Sequence, residues 1–187
     1  MGALARLFVG VDLSTEARHA LVAQLDAAIG GALPGTVVPP PNWHLTLRFL
    51  GDVDPVGYDR LLMELAGADL GPAFEVALDG LGAFPRTARA TVLWTGVSDG
   101  SDPLNRLAGR VEKACVGAGF GPEERPFHAH LTLSRIRPPQ DVTLLISDSE
   151  GFRIRTRVDR VTLFQSHLER GGARYEILDH FELTPGS

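Results

Sequence analysis

The chain has 187 residues, 44% of them apolar, and 18 basic against 23 acidic side chains give a formal net charge of −5. That apolar content can bury a core in one domain or two small lobes, while the acidic balance excludes a generic polycation that coats nucleic acid. No apolar run approaches the ~18 residues of a membrane span, the first residues lack a signal-peptide pattern, and a single cysteine, Cys115, excludes an internal disulfide framework, so the expectation is a soluble cytoplasmic protein.

Taken in chain order, Arg6–Asp12 reads as a strand rich in Val, Leu and Phe. Ser14 can cap a helix that carries Glu16 in its first turn, with Ala17, Leu21, Leu25, Ala28 and Ile29 at helical spacing and Gly30-Gly31 at its end. A Pro- and Gly-containing link leads to a strand at His44-Leu45-Thr46-Leu47. A helix over about Val56–Ala68 follows, then strands near Phe74–Leu81 and Ala90–Val97. The next helix runs from about Ser101 to Val116, with Leu104, Leu107, Val111, Ala114 and Cys115 on its apolar face and Gly117 at its end. A second Pro/Gly link leads to a strand at His130-Leu131-Thr132-Leu133. After a short segment over Asp141–Ser149, strands are expected near Phe152–Val158, Arg160–Ser166 and Ala173–Leu183. Several strands are joined directly, which favours α+β with antiparallel sheets over a doubly wound parallel fold.

The order of elements repeats, and so do the letters. At a constant offset of 86, thirteen of the forty-one positions from Leu7 to Leu47 are identical with Leu93 to Leu133, where ordinary residue frequencies give about three. Matched pairs include Gly10 with Gly96, Leu21 with Leu107, Gly31-Ala32 with Gly117-Ala118, and the whole His-Leu-Thr-Leu tetrapeptide. The reading is a single bilobal unit over 1–187 in which about 6–50 matches about 92–136. Two pseudo-symmetric lobes would each hold an antiparallel sheet with helices on its outer side, with an active cleft between them.

On a strand, alternate side chains share a face, so His44 with Thr46, and His130 with Thr132, look one way while the leucines look into a core. A pseudo-two-fold axis would bring both polar faces to one cleft. Two imidazoles suit phosphodiester chemistry without a metal: one, neutral, takes a proton from the attacking oxygen, and the other, protonated, gives one to the leaving oxygen. Threonine hydroxyls can donate to the non-bridging phosphate oxygens. The residues alone leave open which histidine is acid and which base.

His44-Leu-Thr-Leu-Arg-Phe-Leu-Gly51 and Pro126-Phe-His-Ala-His130-Leu-Thr-Leu-Ser-Arg135 resemble the two HxTx motifs of the 2H phosphoesterase superfamily. The most similar branch is the bacterial and archaeal RNA 2′,3′-cyclic phosphodiesterases, also called 2′-5′ RNA ligases. The likeness runs from Arg6 through Leu163-Phe-Gln-Ser166 to Tyr175. It implies hydrolysis of an RNA 2′,3′-cyclic phosphate end to a 2′-phosphomonoester, with no cofactor or metal. The residues themselves call for no obligate protein partner and no more than a monomer, since the two lobes would supply both halves of the site. His44 would be the proton donor and His130 the proton acceptor, with Thr46 and Thr132 binding the phosphate. Run backwards, the reaction would join a 5′-hydroxyl as a 2′-5′ linkage. Alternatives are a non-catalytic module that binds RNA ends in the same cleft, and a related phosphoesterase acting on small cyclic nucleotides.

Other residues carry two readings each. Arg135 is a substrate-binding candidate, although strict alternation turns it away from the His face unless a strand end or bulge restores it. Phe49, its repeat partner, could stack on a base, but a core position is expected. His128 with His130 could form a metal pair, as in a metal-dependent hydrolase; a place at the cleft rim is favoured. Arg153, Arg155 and Arg157 share a strand face, either solvated or a track for RNA phosphates. Trp43 and Trp94 read as core, His19, His167 and His180 as structural or exposed, and Cys115 as a small apolar residue.

Overall fold

The computed structural model of the chain describes residues 4–30, 32–149, 151–169 and 172–186; the first three residues and Gly31 of the expected helix stop lie outside it. Strand β1 (Ala5–Asp12), helix α1 (Thr15–Ile29) and a two-residue strand β2 (Thr36–Val37) lead to β3 (His44–Val53), which begins at the first motif. Helix α2 (Pro55–Gly67) and strands β4 (Phe74–Phe84) and β5 (Ala90–Val97) follow. Helix α3 (Ser101–Gly117) then leads to β6 (His130–Gln140), which begins at the second motif. The chain finishes with α4 (Thr143–Asp148), β7 (Arg153–Val158), β8 (Arg160–Glu169) and β9 (Gly172–Glu182).

Local chemistry sets the helix ends. The Ala17 N–H donates to Ser14 Oγ at 3.1 Å, and Gly30 takes a left-handed conformation (φ 64°) from which its N–H reaches the Asp26 carbonyl. α2 starts one residue earlier than the periodicity predicts, because Asp54 accepts from the Gly57 N–H at 2.7 Å and Pro55 takes the first helical position. Strand β2 has no counterpart in the sequence reading.

All pairings between these strands are antiparallel, in the order β7-β4-β5-β6-β3-β1-β8-β9, with β2 also on β6. The order is palindromic about the β6–β3 junction. There the half-sheets β6-β5-β4-β7 and β3-β1-β8-β9 meet at one pair, Leu45 opposite Leu131. Those leucines are repeat equivalents, and a residue paired with its own equivalent lies on the axis relating the copies. The α+β architecture thus places the pseudo-dyad through the two motifs. In one respect the ungapped repeat misleads. Asp12 stands opposite His44, but Gly96 rather than Ser98 stands opposite His130. β5 is therefore slid by two residues against β6, a slip that keeps every side chain on its face and leaves the sequence pattern unchanged.

The leucines of both motifs enter one core with Leu21 and Leu25 of α1, Leu61 and Leu65 of α2, and Leu104, Leu107 and Val111 of α3. None of the described helices is long and apolar enough to cross a membrane. Because Leu45 and Leu131 join the halves and are fully buried, Leu45→Ala or Leu131→Ala should each cost about 2–5 kcal/mol of stability in denaturant unfolding. A loss below about 1 kcal/mol would show that the junction is not tightly packed.

Candidate active site

The register set by Leu45 opposite Leu131 puts His44 across from Thr132 and Thr46 across from His130. Four polar side chains surround the dyad on the face opposite the leucines. His44, Thr46 and Thr132 line one cleft of about 410 Å³, and His130 and Thr46 line a second beside it, of about 450 Å³.

Both imidazoles are oriented in the same way. His44 Nδ1 lies 2.7 Å from the Asn42 carbonyl and His130 Nδ1 2.7 Å from the His128 carbonyl. A carbonyl only accepts, so each neutral ring carries its proton on Nδ1 and keeps Nε2 for other partners. The Thr46 hydroxyl donates to His44 Nε2 at 3.0 Å. Aromatic rings fix the planes. Phe8 (4.7 Å between centroids), Tyr175 (5.1 Å) and Phe164 (5.6 Å) surround His44. Phe84 lies edge-on at 5.0 Å to His130, with Trp94 at 6.1 Å. Trp94 reaches His128 as well, at 5.1 Å, and is half-buried behind these rings rather than in the core that the sequence suggested.

Burial sets the electrostatics. It pushes His44 down to about 4, against the raising effect of its bond to the Asn42 carbonyl, and the charges of Arg135 and His130 lower it further. His130 is lowered too, first by burial and then by His128 and Arg135, while its bond to the His128 carbonyl opposes the shift. The guanidinium of Arg135 thus acts on both imidazoles.

A bulge turns Arg135 into the cleft. In β6, Ser134 pairs with Leu93 and Thr132 with Trp94, so Leu133 has no partner; in β3, Arg48 pairs with Val9 and Thr46 with Gly10, which leaves out Leu47. The extra residue resets the alternation in both copies. Arg135 and Phe49 therefore return to the histidine face and line the first cleft, together with Arg6 and Arg137. Phe49 is 42% exposed with the Arg6 guanidinium 4.9 Å from its ring centroid, contrary to the expected core position. Arg6 and Arg137 were missed as site residues. For Arg137 the usable signal is its two-residue spacing from Arg135.

The remaining candidates fall elsewhere. His128 sits at the rim of the second cleft, and among the described residues no three His, Cys, Asp or Glu side chains converge to hold a metal. Arg153 pairs with Asp79 and Asp99, and Arg155 with Asp99 and Glu75, so acids already occupy two of the three arginines of that face. Trp43 and Cys115 are buried in the core. His167 pairs with Glu176, and His180 meets Thr162.

A family model described as LigT like phosphoesterase matches residues 11–94 and 96–175. The chain is 35% identical over 160 residues to an RNA 2′,3′-cyclic phosphodiesterase of Aeropyrum pernix, covering 82% of this chain and 89% of that one. It is 33% identical to the protein of the same name from Escherichia coli, covering 96% and 97%. Among solved structures, Escherichia coli LigT in complex with 3′-AMP superposes with a TM-score of 0.74 at 29% identity, covering 97% and 99%. A protein of Thermus thermophilus superposes with a TM-score of 0.79 at 26% identity, covering 97% and 100%.

The close approach of β1 to β3 gives a test of the site's geometry. A Cβ on Gly10 would lie 2.8 Å from the Leu45 carbonyl oxygen and 3.6 Å from His44 Cδ2. Gly10→Ala should therefore cost about 1–3 kcal/mol and shift the His44 ring resonances in NMR spectra. Unchanged stability and His44 signals would show that the strand spacing is not tight there.

Proposed function

This chain belongs to the LigT-like phosphoesterase family, and we propose that it acts as a single bilobal unit to hydrolyse RNA 2′,3′-cyclic phosphate ends to 2′-phosphomonoesters. The observation that carries this reading is the pair of imidazoles from the two motifs, each held at Nδ1 by a carbonyl so that Nε2 serves chemistry, on His44 once Thr46 turns from it to the phosphate. A phosphate between them would meet an acid and a base on opposite sides, as in-line displacement requires. The names of the relatives supply the substrate class, and a nucleotide-binding LigT structure agrees with it.

In this mechanism His130 Nε2 takes a proton from water, whose oxygen attacks phosphorus. The P–O3′ bond breaks, and protonated His44 gives its Nε2 proton to O3′, leaving the phosphate on O2′. Thr46 and Thr132 donate to the non-bridging oxygens, and Arg135 balances their charge. The donor and acceptor assignment follows the order of the two motifs in the family it resembles. No metal or cofactor is assigned a step. By microscopic reversibility, a 5′-hydroxyl in place of water would give a 2′-5′ linkage.

Burial favours the neutral form of both imidazoles in the free protein. An anionic phosphate placed between them favours the charged form, so substrate binding promotes uptake from solvent of the proton that His44 must donate. The sign follows for kinetics. Because kcat/KM reports the free enzyme and both free imidazoles titrate below 6.5, its bell should be centred below pH 6.5, with the kcat profile displaced to higher pH. A kcat/KM bell centred above pH 7 would contradict the assignment.

Phosphorus NMR of a short RNA with a 2′,3′-cyclic phosphate, incubated with the protein in excess chelator, should show the 2′-phosphate as sole product. His44→Ala and His130→Ala should each lower turnover by about 10²–10⁴ with unchanged circular dichroism. Wild-type turnover in both variants would end this reading, and activity that returns only with a divalent ion would point to a metal at His128 and His130.

A further inference from the structure

The two histidines are held alike at Nδ1, but the groups that hold them are secured differently. The segment before β3 reads Val38-Pro39-Pro40-Pro41-Asn42-Trp43. Its three prolines have no N–H to offer, and it forms a single 3₁₀ turn over Pro40–Asn42. The Asn42 N–H donates to the Pro39 carbonyl at 2.8 Å and the Trp43 N–H to the Pro40 carbonyl at 3.1 Å. This turn delivers the Asn42 carbonyl to His44 Nδ1 at 2.7 Å. The Asn42 side chain has a different partner: its Nδ2 donates to the Ala173 carbonyl of β9 at 2.6 Å.

That bond spans a half-sheet. In the order β3-β1-β8-β9, β1 and β8 stand between the strand that carries His44 and the strand that carries Ala173. Phe8, Phe164 and Tyr175, one from each of β1, β8 and β9, fill the interval with rings around the imidazole. The repeat partner of Asn42 is His128. Its carbonyl holds His130 Nδ1 at 2.7 Å, but its own ring rests edge-on against Phe84 at 5.2 Å and Trp94 at 5.1 Å. An anchored amide therefore stands on the His44 side, at the repeat position where the His130 side has a packed ring.

Resting on the function proposed above, we propose that Asn42 is a positioning residue for the proton donor: its amide, anchored on the Ala173 carbonyl, fixes the peptide group that receives His44 Nδ1–H. Once His44 has given its Nε2 proton to O3′, the proton that remains is on Nδ1, where the Asn42 carbonyl accepts it. A carbonyl free to turn would leave Nδ1–H without that acceptor. The neutral ring could then carry its proton on Nε2 and donate to the Thr46 hydroxyl, which stands at 3.0 Å. Loss of the anchor thus removes both the aim of Nε2 and the acceptor that stabilises the charged ring.

Nitrogen NMR of the ring atoms in the free protein at neutral pH reads the tautomer without substrate, and His130 serves as a control in the same molecule. Both wild-type rings should show Nδ1–H alone. Asn42→Leu keeps a branched side chain of similar size without the amide, whereas Asn42→Ala removes the volume as well. Each should turn His44 into a mixture of tautomers and leave His130 unmoved. On RNA with a 2′,3′-cyclic phosphate end, each should lower kcat about ten- to a hundredfold, the scale of a displaced catalytic group, with KM near the wild-type value. Because the bond to the Asn42 carbonyl raises His44, the centre of the kcat bell should also move to lower pH. Wild-type tautomers and kcat in Asn42→Leu would overturn the proposal, showing that the side chain acts by volume if Asn42→Ala is defective. A lower kcat with His44 still wholly Nδ1–H would overturn it too, since the amide would then act on the substrate. A wild-type protein that consumes no cyclic phosphate would overturn the function proposed above, while the His44 tautomers would still decide whether Asn42 sets the ring.

Discussion

Leu45 opposite Leu131 is the contact on which the rest of the molecule turns. It is the single described pair between the half-sheets, and it joins a residue to its own repeat equivalent. From that one register position follow the placement of His44 across from Thr132, the placement of Thr46 across from His130, and the parting of the strands on either side. The leucine side chains hold the pair from below, in a core shared by three helices. The polar faces above inherit its symmetry. Short polar side chains on rigid strands lose little entropy when ordered around a phosphate, and neighbouring aromatic rings and carbonyls fix their direction.

Near-symmetry in the chain does not give a symmetric site. Arg48 and its repeat partner Ser134 are both buried, yet only Arg48 can bridge to a distant element, and it ties β3 of one lobe to α3 and to Glu123 in the segment before β6. β2 does the corresponding work on the other side through backbone pairing. One side is thus bridged by a strand and gathers Arg6, Arg135 and Arg137; the other is bridged by an ion pair and has Glu112 and Glu123 in its lining. Phe49 and Arg135 are repeat equivalents of different chemistry, an aromatic ring and a cation, and both line the first cleft.

Much of this was legible in the sequence. The tetrapeptide repeat located both histidines and both threonines, and period-2 alternation put them on one face. Ser14, Gly30 and the apolar spacing located α1, because capping and helix periodicity are local. What alternation could not reveal was the bulge at Leu47 and Leu133, since the extra residue is defined by the partner strand rather than by its own neighbours. That one feature decides Arg135 and Phe49, and it is why Phe49 reads as core in the chain and lies in the cleft in the fold. The two-residue slip of β5 was invisible for a related reason: it preserves the face of every side chain. The depressed titration of His44 was not legible either, because it comes from rings and strands distant in sequence, Phe8, Phe164 and Tyr175 among them.

The central claim is that two half-buried, neutral imidazoles become an acid and a base when a phosphate lies between them. It is tested most directly by following the ring signals of His44 and His130 against pH by NMR, in the free protein and in complex with adenosine 2′-monophosphate. Both rings should titrate below 6.5 when free, His44 the lower of the two, and the bound nucleotide should raise His44 into the neutral range. Ring titrations that the nucleotide leaves unmoved would contradict a phosphate site between the two histidines.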